Sequence, residues 1–333
     1  MFDRKNNCIC EICGRIKGHI ISEEFEIINY IKSGGAGFVF KGKLKKKSTL
    51  KYTALKFFLS KNHNKKKSHK LNEYNEILLH YKLKHKNIPA IYGCYTIDGG
   101  SCLSMEYCEY GDLSNFKKNI LKKSCLSETF ICFIASQILD AILYLHKNRI
   151  IHFDIKLQNI LVDECLNFFL TDFSVSLNYK SVDEYIHLNR VGTAYYISPE
   201  SLNEERIKIE DASKIDIYSF GVLIYVLAYG DYPYNLKNTN DKDYSQMAKN
   251  IQENELQFPK SLNHSSMFHN FISKCLEKDI NKRLNIYEAI KDPWVFANQY
   301  ILDEKEKIGN ASNFLIKMMT NSISSFNQYI NLF

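Results

Sequence analysis

The segment "IIHFDIKLQNILV" sets an aspartate, a lysine and an asparagine two and three positions apart, at Asp154, Lys156 and Asn159. A carboxylate that orients a hydroxyl, an ammonium that neutralises a phosphoryl group in flight and an amide oxygen that holds a hard cation are the groups a phosphoryl transfer needs. The same three residues could also form an ordinary polar loop, so the chemistry depends on what else the chain supplies. In "FFLTDFSVS", Asp172 follows an apolar, strand-like run and offers a second hard oxygen ligand suited to Mg2+. Upstream, "IKSGGAGFVF" places Gly34, Gly35 and Gly37 between two strand patterns, where backbone N–H groups could approach a phosphate. A glycine-rich hairpin is also often no more than a turn. In "YTALKFF", Lys56 interrupts a run that should be half buried, and a buried ammonium asks for a carboxylate or a phosphate. Glu76, 20 positions on, is a counter-charge of the right sign; an unconnected surface lysine and glutamate is the plainer alternative.

These groups need elements to hold them. From about residue 25 to 107, "FEIINYI", "AGFVFKGKL", "YTALKFFL" and "SCLSMEYC" read as strands, with one helical stretch around "NEYNEILLHYKLK". After the turn at Gly111 a longer, helical periodicity takes over in "ETFICFIASQILDAILYLHKN", "IDIYSFGVLIYVLAYG" and "MFHNFISKCLEK". A small strand-built part followed by a larger helical part is expected, without internal repeats.

The chain of 333 residues exceeds the size at which one core usually stops growing, and its 45% hydrophobic and 24% charged residues are those of a globular protein. The net charge of +7 favours acidic ligands or partners. Much of the excess lies in "KGKLKKKSTLK" and "KNHNKKKSHK", which read as solvated loops rather than a nucleic-acid patch, because aromatic interleaving and a binding motif are missing. The ten cysteines have no framework spacing. Several lie in apolar segments (Cys94, Cys102, Cys125, Cys132, Cys165, Cys275), which suggests buried thiols in a reducing compartment. The start "MFDRKNN" is not followed by a signal-peptide apolar stretch, and no run approaches the roughly 18 apolar residues of a membrane span. A cytoplasmic or nuclear protein without a membrane segment is expected.

In their order and spacing these motifs resemble the eukaryotic protein kinase family, from about Phe25 to Phe296. The resemblance implies an α+β, bilobal fold: an N-lobe over 25–107, a C-lobe over 108–297, an extension over 1–24 and a tail over 298–333. It implies ATP and Mg2+ as cofactors and protein substrates. A Gly-rich loop (Gly34, Gly35, Gly37) would cover the nucleotide, Lys56 would pair with Glu76 and grip the phosphates, Asp154 would orient the acceptor hydroxyl, and Asn159 and Asp172 would hold metal. "MEYCEYGDL" looks like the hinge, with Met105 as gatekeeper, backbone groups of Glu106 and Cys108 facing the adenine and Asp112 near the ribose. Ile31, Val39, Ala54 and Leu161 would line the nucleotide. Glu200 would pair with Arg283, and Asp216 would brace the catalytic loop. Lys156 together with Thr193 looks like the serine/threonine-specific branch, with dual specificity left open. The rival is an inactive, nucleotide-binding pseudokinase that acts as a scaffold.

Three positions depart from the family's pattern. Lys32 replaces the first glycine of the loop, which leaves the later glycines in place. Phe153 replaces the arginine before the catalytic aspartate, so nothing there can pair with a phosphorylated activation segment. Ser174 replaces the glycine of D-F-G and restricts the backbone after Phe173. At the ends, "CICEICGRIKGH" brings Cys8, Cys10, Cys13 and His19 close enough to hold a structural Zn2+, or leaves three free thiols. Leu315, Met319, Ile323, Phe326 and Ile330 make an apolar helical face that would dock on the chain's own helical lobe, or meet a regulatory partner or an autoregulatory contact.

Overall fold

Alternation in "TALKFFL" sends Leu55 and Phe57 to one side of a strand and Ala54, Lys56 and Phe58 to the other. Around that strand the computed structural model builds a five-stranded antiparallel sheet. The residues described are 24–34, 37–45, 52–59, 76–97, 100–123, 125–181, 184–259, 262 and 264–296. Two compact units part between Cys108 and Glu109.

In the first unit β1 (Phe25–Gly34), β2 (Gly37–Leu44), β3 (Thr53–Leu59), β4 (Ile91–Ile97) and β5 (Gly100–Glu106) take the order β1-β2-β3-β5-β4. One face carries Phe25, Phe40, Leu55, Phe57 and Cys102, with Phe40 and Phe57 meeting edge to face at 5.5 Å. The other carries Ala54, Phe58, Leu103 and Met105 beneath Ile77, which comes from the helical residues 76–82. Strand β4 was not among the expected runs: "IYGCYTI" carries a glycine, and its outer residues Tyr92, Cys94 and Thr96 are exposed, as suits an edge strand.

The second unit is mainly helical. Ser127 caps the helix Glu128–Lys147, its hydroxyl accepting from the Phe130 N–H. The helix Lys214–Tyr229 is buried almost all round and stops at Gly230 in the left-handed conformation, φ 75°. The first of these helices and the stretch Ile209–Tyr229 are long and apolar enough to cross a membrane, but 78% and 89% of their apolar windows lie buried inside the protein. They are core helices.

Trp294, fully buried, stacks on Phe271 at 4.9 Å and donates its indole N–H to Glu128 at 3.0 Å. Glu128 also accepts from the Ser265 N–H at 2.7 Å and the Ser265 hydroxyl at 2.5 Å. Burial alone would raise its pKa, but the nearby His264 ring, 3.7 Å away, and hydrogen bonds from Ser265 and Trp294 outweigh that and hold the carboxyl below its ordinary value.

Short ladders carry the loops. They pair β6 (Ile150–Ile151) with β9 (Leu177–Asn178), β7 (Ile160–Val162) with β8 (Phe168–Leu170), and β10 (Tyr185–His187) with β11 (Arg206–Lys208). The expectation of buried thiols holds for Cys102, Cys132 and Cys275, whereas Cys94 and Cys165 are exposed and Cys125 is half-buried. Cys94 points off the outer side of edge strand β4.

Candidate active site

In the first unit the hairpin closes with Gly34 opposite Gly37. Gly37 has φ +136°, and a Cβ there would lie 2.1 Å from the Phe57 carbonyl oxygen, so no other residue fits. Gly35 lies outside the described residues. Lys32 has no left-handed backbone, so its position does not demand the glycine it replaces. Register sets Val39 beside Lys56 and Ala54 beside Met105. Those four side chains therefore share one face of the sheet, while Ile31 on β1 is 40% exposed. The Lys56 ammonium pairs with the Glu76 carboxylate; the glutamate is buried and the lysine nearly so. Met105 is buried, and its carbonyl accepts from the Thr53 hydroxyl at 2.8 Å. Glu106 uses its backbone N–H on the Ala90 carbonyl at 2.8 Å, which confines the expected adenine contact of this residue to its carbonyl. Cys108 is buried.

In the second unit a cluster forms around Asp154. Its Oδ2 accepts from Lys156 Nζ at 2.6 Å and from Asn159 Nδ2 at 3.0 Å, and its Oδ1 accepts from the Thr193 hydroxyl at 2.7 Å. Lys156 also reaches the Thr193 oxygen at 2.6 Å, which closes a ring of three groups. Asn159 bonds the Asp154 carbonyl through the same nitrogen, at 2.8 Å. Its amide oxygen is thus the atom suited to a cation.

The β7–β8 ladder pairs Ile160 with Leu170, and one step further the Thr171 N–H donates to the Asn159 carbonyl at 2.9 Å. That ladder brings Asp172 to the neighbourhood of Asn159. Asp172 has φ +71°, a left-handed conformation rare outside glycine, Asn and Asp. Ser174 avoids that region, so serine is accommodated where the family has glycine. Leu161 bridges to Asp112, and Asp112 caps its own short helix by accepting from the Asn115 N–H at 2.9 Å.

The loop is braced from beneath. Asp216, fully buried at the start of its helix, accepts from the backbone N–H groups of His152 and Phe153 at 2.9 and 2.8 Å. His146 Nε2 contacts the same carboxylate at 2.8 Å. Phe153, at φ +65°, is buried with Ile151, Leu188, Ile207, Ile209 and Ile215, so an apolar cluster joins the loop to the segment that follows Asp172.

Arg283 makes a two-armed pair with Glu200 at 2.6 and 2.9 Å and donates to the Glu277 carbonyl at 2.8 Å.

Two contributors were missed in the sequence. His152 links the loop to the residue that follows β8: its Nε2 donates to the Thr171 carbonyl at 3.1 Å and its Nδ1 accepts from the Asp154 N–H at 3.2 Å. Gly192, at φ +107°, lets the chain pass Phe153 so closely that a Cβ would sit 2.6 Å from its carbonyl oxygen. A glycine just before Thr193 was the available signal. Cys8, Cys10, Cys13 and His19, and the apolar face from Leu315 to Ile330, lie outside the described residues. Among the described residues no group of three or more His, Cys, Asp or Glu could hold a metal ion, and the zinc expectation falls on residues outside them.

The protein kinase domain family matches residues 25–295. The chain belongs to that family. It is similar to cell division control protein 7 of Schizosaccharomyces pombe, 32% identical over 225 residues covering 67% of this chain and 20% of that protein. It is similar to serine/threonine-protein kinase TIO of Arabidopsis thaliana, 28% identical over 284 residues, or 85% of this chain and 20% of the relative. With serine/threonine-protein kinase ppk25 of S. pombe it shares 29% identity over 228 residues, 68% of this kinase chain and 50% of the relative. The chain therefore spans between a fifth and a half of the length of these relatives.

Proposed function

We propose that this protein kinase domain is catalytically active and transfers the γ-phosphoryl group of Mg–ATP to serine and threonine hydroxyls of proteins. The observation that carries the reading is the Asp154 cluster, a carboxylate with a lysine and a threonine hydroxyl on its two oxygens. Asp154 would orient the acceptor hydroxyl and take its proton, since a carboxylate has about four lone-pair sites and can accept one more donor. Lys156 would neutralise the transferred phosphate, and its contact with Thr193 supports the serine/threonine assignment. The oxygens of Asn159 and Asp172 suit Mg2+, which when bound would neutralise charge on the phosphate oxygens. In the first unit, Lys56 held by Glu76 would grip nucleotide phosphates, and the face of Val39, Ala54 and Met105 would take the base.

The relatives named as serine/threonine-protein kinases support the same acceptor class. The core thiols of Cys102, Cys132 and Cys275 favour the cytoplasm or nucleus. The apolar residues Leu315, Met319, Ile323, Phe326 and Ile330, spaced in the sequence as for a helix, are where we assign a regulatory contact. The test is phosphate transfer from labelled Mg–ATP to matched serine, threonine and tyrosine peptide libraries, with and without Mg2+. Mg-dependent labelling of serine and threonine peptides is expected. Labelling confined to tyrosine would contradict the acceptor assignment, and ATP binding without any transfer would favour a pseudokinase scaffold.

A further inference from the structure

Beside the Asp154 loop, within the second unit, lies an open cleft of about 480 Å3 whose lining includes Lys117, Lys118, Lys122, Lys123, Leu157 and Gly230. Residues Phe116–Leu121 form a π-helical turn, and the Lys122 N–H bonds back to the Lys117 carbonyl. Lys122 ends the turn in the left-handed conformation, φ 51°, and the cleft lining takes Lys117 and Lys118 from the turn and Lys122 and Lys123 from the residues that leave it. Lys117 is buried and donates its ammonium to the Val226 carbonyl at 3.0 Å, while Lys118, Lys122 and Lys123 are exposed. Burial lowers the Lys117 pKa, a cost that an anion in the cleft would relieve. Among the described residues the lysine ion pairs of this unit involve Lys156, Lys208, Lys214, Lys274 and Lys282, and none of the four in the cleft. Four lysines and, among the described residues, no carboxylate line this cleft, and that lining suits an anionic occupant.

Position identifies the occupant. Leu157 follows Asp154 by three residues, so their Cα atoms are at most about 11 Å apart, three spans of about 3.8 Å. An extended peptide covers about 3.3–3.6 Å per residue, so a segment whose hydroxyl sits at Asp154 reaches the cleft within about three to five residues. Resting on the kinase reading above, we propose that this cleft selects protein substrates with anionic side chains, carboxylate or phosphate, about three to five positions from the acceptor hydroxyl.

The test compares the full chain with its Lys118→Glu/Lys122→Glu/Lys123→Glu variant on three serine peptides. Their flanking positions carry glutamine, glutamate or phosphoserine. Exposed charge pairs are individually weak, so the wild type is expected to favour the glutamate peptide over the glutamine one by about tenfold in kcat/KM, expressed in KM, with phosphoserine ahead of glutamate. The variant should lose that preference and keep turnover of the glutamine peptide within about twofold. Equal use of the peptides by the wild type, or a preference that survives in the variant, would overturn the proposal. Fluorescence anisotropy with the same labelled peptides separates the two readings. If no peptide is phosphorylated, the kinase reading fails, and the cleft stands or falls on whether the variant weakens glutamate-peptide binding about tenfold.

Discussion

Two buried ion pairs, one in each unit, are built for different ends. Glu200 and Arg283 meet through two parallel bonds, Arg283 is fully buried, and further backbone carbonyls occupy its remaining donors. Lys56 and Glu76 meet through one lysine nitrogen, and the lysine side chain keeps 12% of its surface exposed. A fork-to-fork arginine pair cannot let go of its partner without stranding a charge, whereas a lysine at the margin can exchange a carboxylate for a phosphate. The first pair is a fixture of the fold; the second is, on the proposed function, a positioned group for chemistry.

That contrast can be broken, and the largest effect should come from the fixture. Arg283→Ala leaves Glu200 buried and unpaired, which should cost about 3–5 kcal/mol and lower Tm by roughly 6–20 °C in thermal unfolding. Replacing both partners with apolar residues of similar size should recover much of that loss. Lys56→Met should behave oppositely: activity falls about 10²–10³-fold, the scale of removing one oriented transition-state donor. Its stability should change by about 1.5–3 kcal/mol, the scale of one charged hydrogen bond, because Glu76 is left without a lysine that sits at the margin of the unit. A fall in Tm as large as that of Arg283→Ala would erase the distinction.

Glu128 sharpens the comparison, because it is a buried carboxylate held by neutral donors as well as His264. Its folded pKa lies below the ordinary 4.5, so the stability it contributes is present above that pH and lost as pH falls through the lowered value. Glu128→Gln should therefore cost about 1–3 kcal/mol at neutral pH, and the gap from the wild type should close on acidification in denaturant titrations. The smallest effect is expected where charge has been dispensed with. Phe153 ties the loop down by packing, so phosphatase treatment, or alanine at Ser174, Ser176 and Ser181 together, should leave turnover within about fivefold, the scale of one neutral hydrogen bond. Loss of activity would show that phosphorylation there is needed after all.

What could be read from the sequence follows the same division between local and distant partners. Asp154, Lys156 and Asn159 fall within one short loop, and apolar periodicity marks the helices that carry it, so both were legible. Lys56 announced itself as a charge within a buried strand. Strand β4 was missed because its glycine and half-exposed pattern look like a turn. Gly192 and His152 act on backbone brought to them by other segments. Glu128 finds Trp294 166 residues away, which no local pattern encodes. The lysine cleft is completed by Leu157 and Gly230 from distant segments, where sequence periodicity alone shows only a basic run.

The most direct test of the account is to measure Mg–ATP binding and phosphoryl transfer side by side for the wild type and Asp154→Asn, with the neutral serine peptide as acceptor. The account predicts that both bind Mg–ATP with similar affinity, and that the variant loses transfer by about 10²–10⁴-fold, the range of a positioned general base. A wild type that binds the nucleotide but transfers no faster than the variant would contradict it.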